Sequence, residues 1–232
     1  MISKISDTCT VLGKLIQKPH IQISFLSYLL RGEKTVLIDT VPAKSTESWG
    51  DELAELLPEK KIDALILNHS EEDHSGALSL LLNWIPEVPI YCTAVCRDRL
   101  KDTYPNANFI CVEDGTSIEI GKFRFRFIHT PGLHWDDNMV TYFENEKILF
   151  SNDLFGQYLT CDSLCDEGLS AEEVMSSAIR YFDKVFASSL AEDRKVLAKI
   201  SKLNFLQIAP GHGVVLKKEL QSVLGMYKDR CI

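Results

Sequence analysis

The apolar residues of this chain repeat with different periods, and each period predicts a different element. In residues 122–128, three phenylalanines alternate with basic side chains, which is the pattern of a half-buried antiparallel strand. Residues 62–67 are almost all apolar and predict a parallel strand that is buried on both faces. In residues 48–57, leucines recur at helical spacing before Pro58, so this segment is expected to form a helix.

Similar patterns extend along the rest of the chain. We predict a hairpin from 21–30 and 34–39 with its turn at 31–33, helices at 77–84, 94–103 and 171–200 with a break near 187–190, strands at 89–92, 109–112, 139–143, 147–150 and 205–208, and a short closing helix. No repeat, low-complexity tract or linker divides the sequence, so residues 1–232 are expected to form a single domain. Strand pairs and helices in this order favour an α/β fold, with two sheets packed face to face and helices outside.

Composition and charge narrow the class of protein. Of the 232 residues, 45% are hydrophobic and 25% are charged, as in globular proteins. The net charge of −8 offers no basic surface for nucleic acid, and no apolar run approaches the ~20 residues that would cross a membrane. The start of the chain lacks the apolar segment of a secretory signal, and the seven cysteines include no C-x-x-C pair. We therefore expect a cytoplasmic protein with free thiols, in which Cys161 and Cys165 are not a redox pair.

Four potential metal ligands occur within six residues, directly after the predicted strand 62–67. They are His69, Glu71, Asp73 and His74. Open α/β sheets place their sites at the carboxyl ends of strands, so this loop is a candidate metal site. Because four donors so close in sequence cannot all reach one ion, we expect the first two to serve one metal and the last two a second. The alternative is a polar loop that caps the following helix, with Asp73 or Ser75 as N-cap.

Three later residues, His134, Asp153 and His212, also follow predicted strands. Taken singly, each is more often a turn or cap residue with local hydrogen bonds. Taken together, four of the six histidines and three carboxylates at strand exits predict a site for two metal ions. His20 precedes the first predicted strand and His129 lies at a strand, so both are expected to be structural or at the surface.

The order of these residues resembles the metal site of flavodiiron proteins. The similarity covers almost the whole chain and includes H-x-E-x-D-H at 69–74, Leu-His-Trp at 133–135, the stretch 151–157 and the stretch 209–213. It implies a metallo-β-lactamase-like αβ/βα sandwich of two mixed sheets flanked by helices. The metal ligands that it implies are His69, Glu71 and His134 for one iron, Asp73, His74 and His212 for the other, and Asp153 as the bridge between them.

Glu71 makes this resemblance specific. The wider metallo-β-lactamase superfamily carries a histidine at this position, and nitrogen ligands suit zinc. A carboxylate is a harder, anionic ligand that favours iron and stabilises its oxidised form. The implied cofactor is a pair of irons joined by an oxo, hydroxo or peroxo bridge, with a position open to a diatomic ligand.

Two departures from the family pattern alter the expected chemistry. Flavodiiron proteins carry a flavodoxin-like domain after the di-iron domain, and because this sequence ends shortly after His212, no flavin is expected in it. The chain is similar in this respect to shorter relatives described as oxygen-binding di-iron proteins. The family usually has His-Gly-Thr-Thr-Tyr-Asn near the irons, where this chain has Ile21 in place of the histidine and Phe25 in place of the tyrosine. Together with Trp135, these side chains are expected to line a pocket without a proton donor.

Three functions are compatible with this pattern, and whether the chain is an enzyme stays open. The first is a protein that binds dioxygen at a diferrous site as a peroxo-type adduct, for oxygen sensing or slow oxygen reduction. The second is a dioxygen or nitric oxide reductase that receives electrons from a separate flavodoxin or rubredoxin-like donor. The third, a binuclear zinc hydrolase, is disfavoured by Glu71. The apolar pocket favours the first, with an electron donor or signalling protein as partner and a homodimer as the expected assembly.

Overall fold

Two mixed sheets packed face to face form the centre of the computed structural model, which describes residues 1–18, 21–189 and 195–230. For Gln17, Lys18 and Ile21 only the backbone is described. The first sheet has seven strands in chain order, β1 Ile2–Lys4, β2 Cys9–Lys18, β3 Ile21–Arg31, β4 Thr35–Ile38, β5 Ala64–Ile66, β6 Pro89–Cys92 and β7 Asn108–Cys111. The second sheet has five, β8 Ser117–Ile120, β9 Phe123–His129, β10 Met139–Phe143, β11 Ile148–Asn152 and β12 Gln207–Pro210.

Both sheets combine antiparallel and parallel pairs. In the first sheet the pairs from β1 to β4 are antiparallel, and those from β4 to β7 are parallel. The second sheet runs in the order β12-β11-β10-β9-β8, with β11 and β12 parallel and the other pairs antiparallel. The parallel β5 is buried at all three positions, as its apolar sequence predicts.

Helices cover the outer face of each sheet. Their bounds are α1 Thr46–Leu56, α2 Glu72–Ser75, α3 Leu78–Trp84, α4 Ala94–Leu100, α5 Ala171–Val185, α6 Val196–Ile200 and α7 Leu220–Arg230. Apolar residues of α1, α3 and α4 form one cluster with the first sheet, and those of α5, α6 and α7 form another with the second sheet. This arrangement confirms the predicted α/β sandwich of two mixed sheets flanked by helices.

The space between the sheets is filled by side chains from both of them. In β9, Phe123, Phe125 and Phe127 face inward and are buried, while the intervening arginines are exposed. Burying such a side chain stabilises the fold by about 1.5–3 kcal/mol. The half-buried pattern predicted for residues 122–128 is thereby confirmed.

Several elements differ from the sequence prediction. The sequence pattern does not predict the strands β1, β2 and β8, because β2 includes Gly13 and β1 and β8 are only three and four residues long. β2 belongs to the sheet through ten paired positions with β3. The last strand is Gln207–Pro210 rather than 205–208, since its pairing with β11 sets its position. The helical segment 171–200 is divided into α5 and α6, and part of the predicted break lies outside the described residues, as does His20.

The structure also bears on membrane-spanning helices and disulfides among the described residues. Among these residues, no helix is both long enough and apolar enough to span a bilayer. The six cysteines in the described ranges form no disulfide, and Cys161 Sγ contacts the carbonyl oxygen of Cys165 at 3.1 Å instead.

Candidate metal centre

All seven predicted ligand side chains lie at one edge of the sandwich. Four of them occupy the loop after β5 and the short helix α2, and the other three follow β9, β11 and β12. Parallel strands bring their carboxyl ends to the same edge of a sheet, which is why residues so distant in sequence meet there. Gly211 permits this close approach, because a Cβ at its position would lie 2.6 Å from Cε1 of His74.

The side chains form two groups, and within each group the potential ligand atoms lie within 4.8 Å of one another. The first group is His69, Glu71, His134 and Asp153. In it, Oε2 of Glu71 is 3.2 Å from Nε2 of His69 and 2.9 Å from Nε2 of His134. Oδ2 of Asp153 lies 3.8 Å from Nε2 of His69.

The second group is Asp73, His74 and His212. Nε2 of His74 lies 3.6 Å from Oδ1 of Asp73, and Nε2 of His212 lies 3.5 Å from Oδ2 of the same carboxylate. Oδ1 of Asp153 faces this group, at 3.1 Å from His212 Nε2 and 3.5 Å from His74 Nε2. The two oxygens of Asp153 therefore face different groups, which is the geometry of a bridging carboxylate.

Several buried polar atoms of this cluster lack hydrogen-bond partners. Among the described residues, Oδ1 of Asp73, Oδ2 of Asp153 and Nε2 of His74 are buried without one. Buried polar atoms in native proteins almost always have partners, so these atoms fit a site that is completed by cations. Three carboxylates and four imidazoles are a donor set that suits iron.

The outer nitrogens of two histidines are held by protein acceptors. Nδ1 of His69 donates to Oδ1 of Asp137 at 3.0 Å, and Nδ1 of His212 donates to the carbonyl oxygen of Ser24 at 2.9 Å. These bonds leave both Nε2 atoms free as ligands and fix the planes of the rings. Sequence reasoning missed both partners, although Asp137 stands only three residues after His134.

Tyr181 is a further residue that sequence reasoning missed. It lies in α5, and its hydroxyl donates to Oδ1 of Asp153 at 2.8 Å. A hydroxyl group therefore stands at the cluster, although Ile21 and Phe25 replace the histidine and tyrosine of the family pattern. Burial raises the pKa of Tyr181 well above its ordinary value, so this hydroxyl retains its proton near neutral pH.

Opposite charges strongly perturb the ionisation of the cluster. Burial alone would lower the pKa of His69, but hydrogen bonds to Asp137 and Glu71 raise it to about 9. Burial would likewise lower the pKa of His74, but nearby carboxylates, Asp73 foremost, raise it to about 10. Hydrogen bonds from His134 and His69 lower the pKa of Glu71 to about 2. Without metal, the imidazoles of His69 and His74 therefore hold protons that a bound cation has to displace.

Of the expected pocket residues, Phe25 and Trp135 have described side chains, and both lie beside the cluster. The Phe25 ring meets the His212 ring edge-on at 5.2 Å, and the Trp135 ring meets the His69 ring at 4.9 Å. Ile21 belongs to β3, but its side chain is outside the described residues. The Glu71 side chain is 34% exposed, so the cluster opens to solvent on that side.

The capping interpretation of the loop is wrong, because α2 and α3 begin without a side-chain cap, and Ser75 Oγ donates to the carbonyl oxygens of Ser70 and Glu71. His129 lies outside the cluster, with Nε2 3.0 Å from the carbonyl oxygen of Val112, as expected for a structural residue.

Comparison with known proteins places this chain in a family. The chain matches the family described as "ODP family beta lactamase" over residues 23–213. It is 36% identical over 209 residues to the anaerobic nitric oxide reductase flavorubredoxin of Vibrio vulnificus, covering 88% of this chain and 42% of the relative. The protein of the same name from Pectobacterium atrosepticum is 38% identical over 212 residues, covering 88% and 41%. The chain thus spans less than half the length of these two curated relatives.

Solved structures share the fold. A flavo di-iron protein from Thermotoga maritima superposes with a TM-score of 0.90 at 30% identity, covering 100% of this chain and 61% of that one. A fragment of a putative diflavin flavoprotein from Nostoc sp. PCC 7120 has a TM-score of 0.90 at 22% identity, covering 100% and 94%, and shows the fold alone. Since the family match extends over most of the sequence, this protein belongs to the ODP family of metallo-β-lactamase-like flavodiiron domains.

Proposed function

We propose that this protein holds two iron ions and binds dioxygen at them, for oxygen sensing or slow oxygen reduction. The observation that carries the proposal is Asp153, whose two oxygens face two separate groups of potential ligands. The residues that would hold the irons are His69, Glu71 and His134 for one, Asp73, His74 and His212 for the other, and Asp153 for both. A ferrous pair bound there would supply electrons to a diatomic gas.

The surrounding side chains orient the ligands and limit the supply of protons. Asp137 and the Ser24 carbonyl fix the rings of His69 and His212, so that Nε2 of each ring points into the site. Phe25 presents an apolar edge to His212 and has no proton to give. Tyr181 donates its hydrogen bond to Asp153, and its raised pKa makes it a weak acid. Because reduction of oxygen consumes protons, these features favour binding with slow turnover.

A reductase is the second candidate, and the comparisons favour it. The two curated relatives are named anaerobic nitric oxide reductase flavorubredoxin. With the seven ligands proposed above, this chain would reduce nitric oxide or dioxygen if a flavodoxin or rubredoxin-like protein delivered electrons to it. A zinc hydrolase is the weakest candidate, because Glu71 places a carboxylate among the ligands of the first metal.

Metal analysis is the first test. Protein purified without oxygen and supplied with iron is expected to hold two irons per chain and little zinc. Stoichiometric zinc that iron cannot displace would contradict the proposal.

Rapid mixing with oxygen separates the two leading candidates. The absorbance change that oxygen produces in the ferrous protein should persist for seconds, whereas a reductase turning over at the usual ~10 s⁻¹ would lose it within a fraction of a second. Sustained consumption of oxygen or nitric oxide after addition of reduced flavodoxin or rubredoxin would establish the reductase instead.

The assembly that we propose is a homodimer. Light scattering at micromolar concentration should give twice the 26.2 kDa of one chain. A mass equal to one chain, in iron-loaded and metal-free protein alike, would show that it is a monomer.

A further inference from the structure

A continuous set of contacts joins Arg99, at the surface, to the buried ring of His69. Arg99 lies in α4, and its side chain is 40% exposed, whereas His69 is fully buried. Two residues stand between them, Trp135 and Asp137, both from the loop between β9 and β10. Each of them contacts both Arg99 and His69.

The first connection runs through the indole ring. The guanidinium carbon of Arg99 lies 4.8 Å from the centre of the Trp135 ring, in a cation–π arrangement. The indole ring also meets the His69 ring, at 4.9 Å with an interplanar angle of 88°. The His134 ring also lies 5.8 Å from the indole. Trp135 therefore fixes the position of two proposed ligands of the same metal.

The second connection is electrostatic. Nε of Arg99 lies 4.0 Å from Oδ1 of Asp137, and this oxygen accepts the hydrogen bond from Nδ1 of His69. The other oxygen of Asp137 accepts from the backbone N–H of Ser70, and its carbonyl oxygen accepts from Thr93 Oγ1. Asp137 is thus rigidly held, and the charge that it presents to His69 depends on the cation beside it.

Asp136 completes the arrangement on the outer side. Its Oδ1 lies 2.6 Å from Nη2 of Arg99, and its side chain is 64% exposed. The guanidinium is therefore oriented by a carboxylate on each side and by the indole face. A planar group with several donors suits this geometry, and a lysine ammonium would not reproduce it fully.

The geometry points to Arg99 as a positioning residue for the metal that His69 would hold, acting through Trp135 and Asp137. This inference rests on the proposed function in that it requires a metal at His69. Arg99 weakens the negative charge that Asp137 presents to the imidazole. Removing it makes His69 a stronger electron donor and takes one positive charge away from the metal, and both effects favour the ferric state.

Arg97 provides a matched control on the same helix. Its side chain is also 40% exposed, and it contacts Asp98 and Cys111, neither of which touches the proposed ligands. The variants Arg99→Gln and Arg97→Gln each remove one positive charge at equal exposure. Arg99→Lys keeps the charge and loses the planar stacking.

Redox titration of the iron-loaded protein is the first measurement. In Arg99→Gln the ferric-to-ferrous ratio of one iron at fixed potential should rise about threefold to tenfold. A tenfold rise corresponds to a reduction potential lower by about 59 mV for one electron. Arg99→Lys should recover most of this change, and Arg97→Gln should show little of it. Equal shifts in Arg99→Gln and Arg97→Gln would mean that only net charge matters, which overturns the inference.

Cobalt(II) separates this inference from the proposed function. Its visible absorption bands report ligand geometry without any reaction with oxygen, and Arg99→Gln should shift the bands of one site while Arg97→Gln leaves them unchanged. Unshifted bands in Arg99→Gln overturn the inference and leave the oxygen proposal standing. If the cobalt bands shift in Arg99→Gln alone, but the iron-loaded protein reacts with neither oxygen nor nitric oxide, the inference is supported and the proposed function is wrong. A wild-type protein that binds neither cobalt nor iron overturns both.

Discussion

The hydroxyl of Tyr181 donates a 2.8 Å hydrogen bond to Oδ1 of Asp153, the carboxylate that lies between the two groups of the candidate metal centre. The same oxygen is 3.1 Å from Nε2 of His212. Oδ2 of Asp153, by contrast, is buried without a hydrogen bond among the described residues. The two oxygens are therefore unequal: Oδ1 faces the second group and is also held by α5, whereas Oδ2 faces the first group without a hydrogen bond.

Replacement of Tyr181 tests this relationship. Tyr181→Phe leaves a buried carboxylate oxygen with one donor fewer, and we expect the free energy of unfolding to fall by about 1–3 kcal/mol. Because Asp153 is then less firmly placed, iron should also be lost faster to a chelator. Chemical denaturation and chelator competition measure the two effects.

Tyr142→Phe is the control for that substitution. The Tyr142 hydroxyl donates to the carbonyl oxygen of Asn204 at 3.0 Å, away from the metal cluster. Its loss should lower stability without changing the rate of iron release. Equal iron release in both variants would show that Tyr181 acts only on the fold.

Replacement of Glu71 tests metal choice. Glu71→His exchanges an anionic oxygen for a neutral nitrogen, so selectivity should move from iron towards zinc, and the reaction of the reduced protein with oxygen should be suppressed. Metal analysis after growth with both metals measures the ratio. Glu72→His is the control, since Glu72 Oε1 accepts the backbone N–H of Ala43 and lies outside both groups. Unchanged iron chemistry in Glu71→His would remove Glu71 from the ligand set.

Phe25 tests the effect of the apolar pocket. Phe25→Tyr places a hydroxyl beside His212, and a positioned acid typically accelerates proton transfer ~10²–10⁴-fold. The oxygen-induced absorbance should therefore decay faster than in the wild type, and Ile21→His should add to the effect. Phe25→Leu, which changes the size of the side chain but adds no hydroxyl, should not accelerate the decay. If the oxygen-induced absorbance decays equally fast in both Phe25 variants, access of solvent to the site, rather than protonation, controls its lifetime.

The metal-free protein should lose stability as the pH rises. The pKa values of His69 and His74 are raised to about 9 and about 10 from 6.5. Because these pKa values are higher in the folded protein than in the unfolded chain, the protonated histidines stabilise the fold fully below pH 6.5. This stabilisation is lost as the pH rises through 9 and 10. We expect Tm in the presence of a chelator to fall over this interval.

Two histidine variants define that pH effect. His69→Gln removes one of the titrating groups and should flatten the dependence of Tm on pH. His129→Gln, at a residue that bonds to the Val112 carbonyl, should leave the dependence as in the wild type. A metal-free protein whose Tm is constant or rises from pH 6.5 to 10 would contradict the assigned pKa shifts.

The sequence by itself determined the fold class, most of the strands and helices, and the positions of seven donor residues at strand exits. These features are local, because the period of apolar residues records which face of an element is buried, and strand ends record where a site can lie. The strand β9 and the H-x-E-x-D-H loop are the clearest cases.

Only the tertiary structure decided which residues support those donors. Tyr181 meets Asp153 across 28 positions of sequence, and Ser24 meets His212 across 188. No periodicity encodes such pairs, because they arise from the packing of α5 on the second sheet and from the approach of the two sheets at one edge. The strand β2 became evident in the same way, since its ten pairings with β3, rather than its own composition, place it in the sheet.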